Sequence, residues 1–184
     1  MPDLIIEPAQ LAKQLDDNNL LIVDLCQEKN WLQHHLPGAV HVHPAELVSG
    51  MKPATGKLPD KQRLEALFSR LGYEPGKHLV AYDDEGGGWA GRFIWTLDVI
   101  GHAMSSLLNG GLIAWANEGF PMTAEVIEPA PTKVNITLSD AVVAEKEDLL
   151  AAIGRDDTII WDARAPEEWA GAKVAAARGG HIPG

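Results

Sequence analysis

The chain is 184 residues long, 46% hydrophobic and 22% charged, with 15 basic against 26 acidic side chains and a formal charge of −11. That balance suits a packed soluble domain and argues against nonspecific nucleic-acid binding, which needs a basic surface to displace counterions. One cysteine, Cys26, excludes an intrachain disulfide framework and fits a reducing compartment. The opening MPDLIIEPAQ has no basic segment ahead of an apolar one, and no apolar run approaches the roughly 18–20 residues of a membrane helix. A cytoplasmic protein without membrane or nucleic-acid partners is expected.

In chain order, apolar spacing predicts a helix over about 8–17, a strand over 20–26 (LLIVDLC) and a short strand over 39–43. A helix over about 59–72 follows, stopped by Gly72 and the turn residues of YEPG. Then come a strand over about 78–83, a helix over 89–101, a short strand over 105–108 and a helix over 111–118 closed by Gly119. This alternation implies a mainly parallel sheet covered by helices on both faces, an α/β fold. Residues 124–134, AEVIEPAPTKV, have the composition of a linker.

Beyond it the chain repeats itself. A shift of 138 residues places Leu11 on Leu149, Leu21 on Ile159, Ile22 on Ile160, Asp24 on Asp162 and Trp31 on Trp169. The tetrapeptide His35-Leu36-Pro37-Gly38 returns as His181-Ile182-Pro183-Gly184, after eight extra residues. Each copy reads as an amphipathic helix followed by a short apolar strand ending in Asp. The organisation expected is a complete domain over 1–122, a linker over 123–136 and the opening third of a second copy over 137–184.

Strand 78–83 ends in Asp83-Asp84-Glu85 and three glycines, at the strand end where such sheets place their chemistry. Successive backbone N–H groups and the start of the next helix offer an anion nest, but three carboxylates on the same loop oppose an external anion. YDDEG is distantly similar to the D-x-D-G loop of aspartate-nucleophile phosphatases. Glu85 replaces the second Asp there, and a solvated acidic turn with a glycine hinge is the simpler reading.

The order VDLC…W…HLPGA, LVAYDDEGGGWAGRFIWTLDVIGH and LLNGGLIAWANEGFP resembles the N-terminal domain of two-domain rhodaneses, the thiosulfate and 3-mercaptopyruvate sulfurtransferases. TIIWDARAPEEW…GGHIPG is similar to the start of their C-terminal domain. The resemblance implies sulfane-sulfur transfer from an anionic donor, through a cysteine persulfide, to a thiophilic acceptor such as cyanide. Thiosulfate is the preferred donor and 3-mercaptopyruvate the alternative; no cofactor is implied. It also implies that Asp83 stands where an active domain has its cysteine, so the first domain is catalytically silent. On the same register the nucleophile falls about 45 residues beyond Gly184. The expected partner is then the remainder of the C-terminal domain, either covalent or as a separate cleaved chain. A non-catalytic interaction or regulatory module is the competing class.

Other candidates are weighed against plainer roles. Cys26, off the catalytic loop, reads as a structural thiol. His34, His35, His41 and His43 lack the acid or cysteine that completes a metal site, and the resemblance implies no metal. Trp31 is read either as core packing or as a wall of the substrate cleft. By resemblance Asp162 is a structural anchor, and Arg164 holds the active loop or attracts the donor anion. Arg92 is expected to neutralise Asp83 or Asp84, and Asn109-Gly110-Gly111 to form a tight turn.

Overall fold

Five short apolar runs pair into one parallel sheet: β1 (Ile5–Ile6), β2 (Leu20–Asp24), β3 (Ala39–His41), β4 (His78–Tyr82) and β5 (Ser105–Leu108). Their spatial order is β1-β5-β4-β2-β3, which puts β4 at the centre. The computed structural model that shows this describes residues 2–183. Its contacts define two units, one running to Ser139 and the other starting at Asp140.

Side chains alternate across the strands, so each strand feeds two cores. Leu21, Val23, Leu79 and Ala81 face α3 (Lys61–Arg70) and α4 (Gly88–Val99), meeting Leu64, Phe68, Phe93 and Leu97. Ile22, Val80 and Tyr82 face the opposite side. There they meet Leu11 of α1 (Pro8–Leu11), Trp31 of α2 (Glu28–Trp31) and Trp115 of α5 (Gly111–Asn117). The three-layer α/β architecture read from the sequence is therefore correct for this unit. Helix α3 shows how locally it is encoded. Asp60 caps it by accepting from the Arg63 amide at 2.9 Å, and Leu64, Leu67, Phe68 and Leu71 form the buried stripe.

Several elements depart from expectation. The first helix ends at Leu11 instead of 17, because Gln14 and Asp17 donate three residues back, in tight turns. β1 and α2 are not visible in the sequence pattern; two and four residues are too short to display a period. Much of the 123–136 segment read as a linker is docked on the first unit. Thr132 exchanges hydrogen bonds with Ser69, its N–H donating to the Ser69 carbonyl at 3.1 Å and its carbonyl accepting from Ser69 Oγ at 2.6 Å. Ile136 is buried in the α3/α4 core and its amide donates to Glu65 at 3.1 Å.

The second unit holds α6 (Lys146–Ala152) and α7 (Pro166–Trp169). The strand expected at its centre is not formed. Residues 158–162 carry no regular secondary structure and have no strand partner among the described residues, and Ile159 and Trp161 are 89% and 88% exposed. A strand is made by its neighbours, and here there are none. Among the described residues no helix is long and apolar enough to cross a membrane.

Candidate functional site

The loop leaving β4 wraps around the Asp83 side chain. Gly86 and Gly87 take φ of 87° and 92°, turning the chain back so that successive amides face inward. Asp83 Oδ1 accepts from the amides of Glu85 at 3.0 Å and Gly87 at 2.8 Å; Oδ2 accepts from Trp89 at 2.9 Å and Ala90 at 3.0 Å. The last two belong to the first turn of α4, whose amides have no partner within the helix. Asp83 is 2% exposed. The nest expected from the glycines is therefore present, and its occupant is the carboxylate expected to oppose one.

The frame of the loop comes from elsewhere. The Asp83 carbonyl accepts from the Leu112 amide at 3.0 Å, and Gly111 lies flat against it. A Cβ at 111 would sit under 3.0 Å from that oxygen, so the Asn109-Gly110-Gly111 turn does serve close approach. Asn30 Nδ2 donates to Asp84, and Gln27 Nε2 donates to Glu85 at 2.9 Å. Neither Asn30, on α2, nor Gln27, just before it, carries a motif that would have flagged it. Arg92 corrects an expectation: its guanidinium donates to the carbonyls of Leu47 at 3.0 Å and Gly56 at 2.9 Å, and stacks over Trp95. It pairs with neither Asp83 nor Asp84, because it leaves α4 toward the 47–56 segment.

Beneath the loop is a closed polar cluster. Asp24 Oδ1 accepts from the Cys26 amide at 2.7 Å, while its Oδ2 has no hydrogen-bond partner and the residue is fully buried. Burial raises the Asp24 carboxyl above its ordinary range, opposed by the nearby Tyr82 hydroxyl and the Cys26 amide. Burial, then the Asp24 charge, pushes the Cys26 thiol far upward. A thiol so placed forms little thiolate. Trp31, 4% exposed, stacks with two imidazoles, its ring centroid 3.5 Å from that of His35 and 5.4 Å from that of His41. His35 Nδ1 meets the Trp31 carbonyl at 2.7 Å and Nε2 meets the Glu125 carbonyl at 3.1 Å. His43 instead caps the turn at Pro44–Leu47, and His34 lines a groove with Leu112 and Met122. The four histidines do not converge.

The second unit repeats part of this geometry with one exchange. Asp162 Oδ1 accepts from the Arg164 amide at 3.0 Å, as Asp24 does from Cys26. The Arg164 guanidinium then forks onto the same carboxylate at 2.9 and 2.6 Å and reaches the Gly180 carbonyl at 3.0 Å. That fork holds the Asp162 carboxyl down at about 2. Trp169 and His181 stack at 4.0 Å, with Nδ1 3.0 Å from the Trp169 carbonyl, as in the Trp31–His35 pair.

A parallel α/β sheet whose central strand ends in a loop of inward-facing amides at a helix N-terminus defines the architecture of the site. Comparison with known proteins narrows it. Residues 7–118 match the model of the rhodanese-like domain. The chain is 48% identical over 181 residues to the thiosulfate sulfurtransferase of Azotobacter vinelandii, covering 98% of this chain and 67% of that protein. Identity and coverage are the same for the thiosulfate sulfurtransferase of Pseudomonas aeruginosa. The crystal structure of a 3-mercaptopyruvate sulfotransferase from Escherichia coli aligns with a TM-score of 0.88 at 28% identity, covering all of this chain and 73% of that one. The chain belongs to the rhodanese family.

Proposed function

We propose that this chain serves thiosulfate:acceptor sulfur transfer. The observation that carries the reading is 48% identity, over 98% of the chain, to two bacterial thiosulfate sulfurtransferases. The reaction runs in two displacements. A cysteine thiolate attacks the outer sulfur of thiosulfate, an S–S bond forms as the donor's S–S bond breaks, and sulfite leaves with the electron pair. Cyanide or a thiol then attacks the persulfide sulfur and the thiolate is regenerated.

The nucleophile of that cycle is placed outside these 184 residues. Asp83 fills the strand-end loop of the first unit, and a carboxylate does not carry sulfane sulfur as a thiolate does. Cys26, the one thiol, is buried and held protonated. Residues 137–184 are taken as the opening of a second, catalytic-type rhodanese domain. The shared Asp-amide turn and Trp–His stack support this. Arg164 then acts by bracing the turn at Gly180 against Asp162, and Trp31 by packing. A cytoplasmic location remains part of the reading.

The test is cyanide-dependent thiocyanate formation from thiosulfate, measured for the chain alone and for the native polypeptide containing it. Turnover by the longer protein and none by the chain alone is the expected result. Turnover by the chain alone that disappears with Cys26→Ser would overturn the placement of the nucleophile.

A further inference from the structure

We propose that Asp83 is an intramolecular anion: its carboxylate occupies an oxyanion nest and closes the loop to anions from solution. The nest is defined by four amides, those of Glu85, Gly87, Trp89 and Ala90, which split two and two between the carboxylate oxygens at 2.8–3.0 Å. Hydrogen bonds from backbone N–H groups to a carboxylate are shorter and stronger than those between neutral groups. All four donors on the Asp83 carboxylate are backbone N–H groups, so backbone dipoles face its charge directly.

Two independent features keep the nest in place without the side chain. The backbone at Asp83 is pinned by the Leu112 amide and by the close approach of Gly111. The Trp89 and Ala90 amides belong to a twelve-residue helix packed into the core through Ala90, Phe93 and Leu97. Shortening Asp83 therefore empties a preformed site. Asp83→Ala removes a carboxylate, leaving space for formate; Asp83→Gly removes –CH2–COO⁻, leaving space for acetate. The ligand class is a small planar monocarboxylate. In the unchanged chain the loop takes no external anion, and a sulfur donor does not bind there.

The experiment is thermal unfolding of the full chain and both variants in sodium formate, acetate or chloride at matched ionic strength. Both variants are expected to unfold several degrees below the unchanged chain. Formate is expected to restore Asp83→Ala saturably and acetate to restore Asp83→Gly, with chloride much weaker and the unchanged chain indifferent. Equal effects of formate and chloride on Asp83→Ala, or equal stabilisation of the unchanged chain, would overturn the proposal. Amide hydrogen exchange on the unchanged chain decides the matter even if neither variant folds. Slow exchange at Glu85, Gly87, Trp89 and Ala90 supports the filled nest, and loop-like exchange at all four refutes it. Sulfurtransferase activity plays no part in these readouts.

Discussion

Replacing Gly111 by alanine tests how the Asp83 loop is held. Gly111 has φ of 56°, and the position a Cβ would take there faces the carbonyl of Asp83. An alanine there incurs the left-handed penalty of about 1–2 kcal/mol. Its Cβ would also lie under 3.0 Å from the Asp83 oxygen and 3.3 Å from the carbonyl carbon, both backbone atoms that cannot rotate away. Relief requires moving Asp83 or the start of α5, which breaks the Leu112–Asp83 hydrogen bond and tilts the carboxylate in its nest. We expect a total loss of about 3–5 kcal/mol, at the severe end for single substitutions. For a unit of this size that lowers Tm by roughly 10 °C or more.

Two controls separate the causes. Gly86 has φ of 87° but open space around its Cβ position, so Gly86→Ala should cost only about 1–2 kcal/mol. Gly91 sits within α4 with nothing within 4 Å, so Gly91→Ala should stabilise by about 0.5–1 kcal/mol. The assay is urea unfolding followed by tryptophan fluorescence. A Gly111→Ala loss no larger than that of Gly86→Ala would refute the close-approach reasoning.

Other expectations follow from the buried cluster. Because burial raises the Asp24 pKa in the folded state, its contribution is present below its unfolded value, 3.8, and is lost as pH rises through the folded value. Asp24→Asn should therefore gain on the unchanged chain as pH rises from 4 toward 7, with a slope approaching about 1.4 kcal/mol per pH unit until the folded carboxyl ionises. A constant difference across that range in thermal scans would contradict the assignment. Cys26 should resist iodoacetamide at pH 8 while the chain is folded and react once urea unfolds it. Rapid labelling of the folded chain counts against its burial. Arg92→Ala should loosen the 47–56 segment, seen as faster amide exchange there, while leaving Asp83-loop exchange unchanged. Equal loosening of the loop would mean that Arg92 does support the acidic turn.

The parts of the fold legible in the sequence are those with a repeating physical signal. The short continuous apolar runs in LLIVD and HLVAY, buried on both faces, place two central strands, and the Leu64, Phe68 and Leu71 stripe places α3. β1 and α2, of two and four residues, carry no period and escape notice. At the site, glycines and a helix start announce a nest, but not that a side chain from the same loop fills it. Charge counting sees three acids in a row; the structure distributes them among four amides, Asn30 and Gln27, the last two supplied from about 55 residues away in sequence. Arg92 departs from expectation for a related reason. Proximity in sequence suggests an ion pair, whereas the helix face on which it sits points it at carbonyls instead.

The central claim, that the first-unit loop is silent and the sulfur rides on a cysteine outside these residues, has a direct test. The native polypeptide is loaded with thiosulfate, digested without reductant, and the added sulfur of about 32 Da is mapped by mass spectrometry. The account expects the persulfide on a peptide outside the 184 residues, with the Cys26 peptide unmodified. Stoichiometric sulfur on Cys26 would contradict it.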